Sequence, residues 1–188
     1  LHCHAHQRTI AGLTEHPSKG KDNFWVWRDL MYKQIEKINP THFYAISNFV
    51  YLEMIKSGYT SVAEFQYIHH DPLGKHYDEP AEISLSSISS AQHIGIALTI
   101  LPVLYSYSDF GAKPALTSQK RFTNNVDTFL IIFSRLESEI TKNKDLNVGI
   151  APHSLRAIDK SLLEKVFDGI SLKETPIHIH ISEQIKEV

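Results

Sequence analysis

Residues 96–105 read Ile-Ala-Leu-Thr-Ile-Leu-Pro-Val-Leu-Tyr, a nearly unbroken apolar run. The run is far short of the ~20 residues that span a bilayer. It predicts a strand over Ile96–Tyr105 buried on both faces. Strands of that kind belong to parallel sheets covered by helices, because a strand with one wet face alternates apolar and polar residues. The flanking sequence supplies the helices. Asn23–Ile38 carries Phe24, Trp27, Leu30, Met31, Ile35 and Ile38 at helical spacing, and Asn39-Pro40 ends it; the residue before a proline is pushed out of the α region. Thr41–Ser57 repeats the pattern with Phe43, Ile46, Phe49, Val50 and Met54, and Gly58 stands where a C-cap is expected.

The rest of the chain keeps alternating. His2–His6 forms a short strand end before a loop running to Asp22, and Thr60–Ile68 reads as a strand. A loop over 69–79 leads to Pro80 at the first position of a helix over 80–94, which Gly95 closes. Lys120–Ile140 is amphipathic, Asn147–Ala151 is a strand, Lys160–Ile170 a helix and Pro176–Ile181 a last strand. Strand–helix alternation without hairpin turns means parallel strands with right-handed crossovers. Polar residues recur where strands end: His2, His4, Gln66, Tyr67, Tyr105, His153, His180 and Glu183. Chemistry at the ends of many strands marks the face of a barrel, whereas a doubly wound sheet concentrates it at one switch point beside a Gly-rich loop. The sequence contains no such loop. The expected fold is α/β, a partial (β/α)8 TIM barrel of about the first five β/α units.

Composition narrows the function. Nineteen Lys and Arg against 21 Asp and Glu give a net charge of −2, no footprint for nucleic acid or an anionic membrane. The single cysteine, Cys3, excludes an internal disulfide framework and fits a reducing, cytoplasmic setting. The chain opens on Leu1 inside a dense polar motif and stops at Val188 in what reads as a first helical turn. Residues 1–188 are therefore expected to be an internal fragment of a single catalytic barrel domain.

Two histidine clusters carry the chemistry. His2 and His4 are two apart on a strand end, so they share a face and can reach one divalent metal at about 2.0–2.1 Å. Alone, such a pair is also what a polar strand end produces by chance. The second cluster reads His-Ile-His-Ile-Ser-Glu over 178–183. His178 and His180 share a face, and strand period does not choose between them as ligand. Glu183 follows just past the strand, where a carboxylate beside a metal could take and return protons. Cys3 points away from the His2/His4 face by parity and is read as packing. His69 and His70 are read as solvated loop residues.

The segments LHCHAHQRTIAGL, FWVWRDLMY, GYTSVAEFQYIHHDP, GIALTILPVLYS, GIAPHSLRA and HIHISEQIKEV together resemble, over essentially the whole chain, the formimidoylglutamate deiminases of the amidohydrolase superfamily. The resemblance implies a zinc-dependent barrel that converts N-formimidoyl-L-glutamate to N-formyl-L-glutamate and ammonia in histidine degradation. It implies His2, His4 and His180 as metal ligands, Glu183 as the catalytic acid/base, and Gln7, Arg28, Tyr67, His153 and Arg156 as substrate-binding residues. It also implies a β-sandwich before Leu1, and, beyond Val188, the last barrel strands with a further ligand aspartate and a catalytic histidine. The substrate would be a small molecule with two carboxylates, which arginine forks bind bidentately. Arg28 lies in an aromatic stretch with Phe24, Trp25 and Trp27, which suits a guanidinium at a pocket wall.

Two other readings compete. Ring-deaminating members of the superfamily, acting on purines or pyrimidines, share the HxH and HxxE motifs, but a neutral heterocycle needs no pair of carboxylate clamps. Zinc deaminases of the other architecture need a Cys-x-x-Cys pair, which one cysteine excludes. A non-catalytic fragment with a partial metal site is the third reading. Its open sheet would leave unpaired edges and favour self-association, a homodimer in the simplest case.

Overall fold

The computed structural model describes residues 1–13, 23–183 and 185–188. From residue 14 on, the expected loop to Asp22 lies outside the described residues, as do the side chains of Phe24 and Trp25. The strands are β1 His2–Cys3, β2 Ser61–Gln66, β3 Ala97–Leu104, β4 Leu146–Val148 and β5 Ala151–Pro152. The helices are α1 Asn23–Ile35, α2 Pro40–Lys56, α3 Glu82–Ile94, α4 Val126–Ile140 and α5 Lys160–Gly169. Every pairing is parallel, in the order β1-β2-β3-β4, with β5 also against β3. Helices α2, α3 and α4 pack on one side of this sheet, the arrangement of one arc of a (β/α)8 barrel. No described helix is long and apolar enough to cross a membrane.

The central strand behaves as its composition demands. From Ile100 to Leu104 every β3 residue is buried, with Ile100, Leu101 and Val103 fully so. Burying each such side chain contributes roughly 1.5–3 kcal/mol. Asn39, Asn125 and Asp159 each accept a bond from the amide three residues on (His42, Thr128 and Leu162). Gly58 (φ 88°) follows α2, where the Tyr59 amide donates back to Met54 O, and Gly95 (φ 83°) ends α3.

Four expected boundaries shift. The strand over Asn147–Ala151 is split into β4 and β5 at Gly149–Ile150. Opposite the break stands Pro102, which has no amide to donate to the ladder. The long helix begins at Val126, not Lys120, because Asn125 caps it and Arg121 turns inward to donate to the carbonyls of Ile35 and His70. Pro80 lies in a turn ahead of α3, which starts at Glu82. The last strand is reduced to two bridges, Ile150–Ile177 and Ser154–His180, within the expected Pro176–Ile181.

Candidate metal centre and substrate cavity

Parity along the sheet decides which side chains face inward. His2 is paired in register with Ala63, so Phe65 on β2 and Tyr67 just past its end share its side; Cys3 pairs with Glu64 on the helix side. Across the inner face the His180 backbone amide donates to His153 O, 3.0 Å, which brings the last segment level with the end of β5. Three histidines then converge. His2 Nε2 lies 3.3 Å from His4 Nε2 and 3.3 Å from His180 Nε2. Among the described residues, His2, His4 and His180 are the one group whose ligand atoms all come within 4.8 Å of one another.

That spacing is a test of fit. Two nitrogens bound at about 2.0–2.1 Å in tetrahedral geometry sit roughly 3.3–3.4 Å apart. A cation lets all three ring nitrogens turn their lone pairs to one point, whereas without one the two 3.3 Å contacts are N–H···N hydrogen bonds set by the His2 tautomer. The residues fit a divalent metal. Burial, then the neighbouring His6, His180, His2 and His153, pushes His4 down to about 2. Burial, His2 and Arg156 lower His180 to about 4, and burial, His178 and the chain amino group lower His2. All three are neutral at pH 7, the state a ligand needs.

The far ring nitrogens differ in what they meet. His2 Nδ1 is 3.2 Å from His178 Nδ1, with the two rings stacked at 5.5 Å and 10°. His4 Nδ1 donates to Phe65 O, 3.3 Å. The pair that strand period left open is thereby separated: His180 reaches the cluster, and His178 backs His2.

Beside the cluster opens a cavity of about 410 Å³ whose lining includes His4, Gln7, Arg28, Tyr67, His153, Arg156, His180 and Glu183. All five expected substrate-binding residues are therefore in one cavity. Such a volume suits a small molecule. Gln7 comes from the 3-10 turn Ala5–Ile10, Arg28 from α1, and His153 and Arg156 from the segment after β5. Tyr67 follows β2, and burial, the largest of several causes, raises its phenol. His6 approaches the Tyr67 hydroxyl at 2.9 Å. His153, on the ring edges of Tyr105 (4.6 Å) and His180 (5.2 Å), is driven well below its ordinary range by burial, His180 and Arg156.

Glu183 stands past the cluster, after Ser182 in the left-handed region (φ 57°). It accepts from Arg156 Nη2 at 2.6 Å, and Glu187 accepts from Nη1 at 3.2 Å. Burial raises Glu183, against the lowering from Arg156. Two expectations are corrected or sharpened here. His69 and His70 are not solvated; both are buried, against Val103 O at 2.9 Å and Thr123 O at 2.8 Å. Cys3 faces the helix layer, and burial followed by Glu64 raises its thiol, as befits a packing residue. The sequence reading missed Glu64, a fully buried carboxylate behind Cys3 that accepts from the Ala5 amide at 2.8 Å. It also missed Tyr32, although the i, i+4 spacing from Arg28 on one helix was visible.

A parallel sheet whose strand ends gather three histidines that fit a divalent metal, beside a carboxylate and two arginines, has its candidate site where a (β/α)8 barrel carries one. The chain belongs to the amidohydrolase family, whose profile it matches over residues 1–188. It is 43% identical over all 188 residues to formimidoylglutamate deiminase from Pseudomonas aeruginosa, and spans 41% of that protein's length. A solved amidohydrolase from Brucella melitensis superposes over the whole chain with a TM-score of 0.93 at 37% identity, the chain spanning 42% of it. An adenosine deaminase from Xanthomonas campestris with bound zinc also superposes over the whole chain, which covers 36% of it. Its TM-score of 0.71 at 16% identity shows a shared fold.

Proposed function

We propose that this chain carries three metal ligands and most of the substrate wall of an enzyme that hydrolyses N-formimidoyl-L-glutamate to N-formyl-L-glutamate and ammonia, in histidine degradation. One observation carries the reading: Arg28 and Arg156 line the same cavity as His4 and His180, two members of the three-histidine cluster. Two guanidinium forks beside a metal-competent cluster suit a dicarboxylate that presents a C–N bond. The likeness to the Pseudomonas deiminase supports the same choice. A divalent ion held by the three histidines, zinc by preference for nitrogen donors in tetrahedral array, would supply Lewis acidity and lower the pKa of water towards 7.

The chain's own groups account for the rest. Arg28 and Arg156 bind and orient the carboxylates, and Gln7, Tyr67 and His153 border the formimidoyl group. In the free chain Glu183 and Glu187 fill the Arg156 fork, so a substrate carboxylate competes for it and releases Glu183 towards the histidines. Glu183 takes a proton from the attacking water and returns it to the departing nitrogen, so water and the imine become the formyl amide and ammonia. A carboxyl raised by burial is suited to both directions of transfer.

The test uses the full-length enzyme. It should release ammonia from N-formimidoyl-L-glutamate and leave adenosine and guanine untouched. Glu183→Gln should keep its zinc and lose at least ~10²-fold in kcat. Turnover of a purine instead, or normal turnover in the Gln variant, would overturn the reading.

A further inference from the structure

We propose that the Tyr32 and Tyr105 hydroxyls, gripped by the Gln119 side-chain amide beside Arg28, form a subsite for one carboxylate of the substrate. The proposal rests on the deiminase reading and names part of its specificity. Gln119 is 1% exposed and sits in the 3-10 turn Thr117–Gln119, between β3 and α4. The Leu116 backbone amide donates to its Oε1 at 2.8 Å. A backbone N–H can only donate, so that contact fixes which end of the amide is oxygen. Gln119 Nε2 therefore faces the phenols, donating to Tyr105 Oη at 2.8 Å and to Tyr32 Oη at 3.4 Å.

The proton count then decides what the pair can do. Each phenol oxygen already accepts from Gln119, so its own O–H is left to donate. Two hydroxyl protons are therefore present to donate outwards. Both tyrosines are buried, and both line the cavity that His4 and His180 also line. The nearest charge is positive. The Arg28 guanidinium lies over the Tyr32 ring, 5.5 Å from its centroid, and the charges of Arg156 and Arg28 both act on Tyr105. An O–H donor beside a guanidinium in a cavity wall selects an anionic acceptor over a neutral one. A carboxylate, with two oxygens to share between phenol and guanidinium, matches that donor set.

The experiment compares three substrates in the full-length enzyme: N-formimidoyl-L-glutamate and its α-amide and γ-amide. Wild type is measured first, then Tyr105→Phe, Tyr32→Phe and Gln119→Leu. Tyr105→Phe should lower kcat/KM about 10- to 100-fold for the diacid, the range for deleting a hydrogen bond to a charged group. It should do the same for one monoamide and change nothing for the other, whose missing carboxylate is the one read here. Gln119→Leu should reproduce that pattern, which a general packing defect would not. Equal losses on all three substrates, or none on any, would overturn the subsite. A wild type inactive on the diacid would overturn the deiminase reading, and the subsite with it, before any variant is compared.

Discussion

His178 and His180 are equivalent to any reading based on strand period, since both point to one face. Their separation depends on height along the strand, which the bridges Ile150–Ile177 and Ser154–His180 set. A histidine that coordinates through Nε2 must carry its proton on Nδ1, and a partner for that proton fixes the ring. For His2 the partner is His178 Nδ1. In the full-length enzyme His178→Phe keeps a ring against His2 but deletes the acceptor, and should weaken zinc binding about 10- to 100-fold in a chelator competition. His178→Asn, which retains an acceptor, should recover most of the loss. Wild-type affinity in the Phe variant would deny His178 this role, and complete loss of zinc would make it a ligand. The ligand and arginine positions were legible through short motifs and the family resemblance. Gln119 and Glu64 were not, because each acts through a partner distant in sequence: Gln119 through Tyr32, Glu64 through Ala5.

At the scale of elements, helices and the central strand followed from spacing, because α3 and β3 present their apolar residues where the core lies; on α2, Phe43 and Val50 do so, whereas Phe49 of the expected stripe is exposed. The errors fell where one residue interrupts a pattern. Pro102 removes a ladder donor, and its effect appears on the neighbouring strand, out of reach of any local reading. The break it faces is tightly packed. A Cβ on Gly149 would lie 2.5 Å from Pro176 O and 2.6 Å from Leu101 Cδ2. Backbone and a buried leucine cannot both give way, so Gly149→Ala should destabilise by about 1–3 kcal/mol, the usual cost of overpacking. Chemical denaturation of the full-length protein checks this, and an unchanged midpoint would show that the last strand moves aside freely.

Over the whole molecule, the inward histidines set how stability responds to acid. His4 is lowered to about 2, His6 and His69 to about 3 and His180 to about 4, in every case first by burial, from an ordinary 6.5. Each binds its proton more readily when unfolded. Their contribution is therefore complete above pH 6.5 and is lost as pH falls through the folded values. Glu64 runs the other way. Burial raises it from 4.5 to about 7, so its contribution is complete below 4.5 and is lost as pH rises through 7. One carboxylate does not offset four imidazoles. Metal-free full-length protein should lose thermal stability between pH 7 and pH 5, and zinc at pH 7 should restore and exceed it by binding only the folded state. A flat profile over that interval would contradict the buried, neutral histidines.

The three convergent histidines also set an order of events during synthesis. His2 and His180 are 178 residues apart in sequence yet meet at 3.3 Å. A ribosome adding ~5–20 residues per second needs about 10–35 s to travel between them. Through that interval His2 waits on a strand of two residues, with His4 just beyond its end. Under the proposed function, metal capture would thus be a late step, open only once the Pro176–Ile181 segment has emerged and docked, and a nascent chain stalled before it would hold the HxH pair without the third histidine.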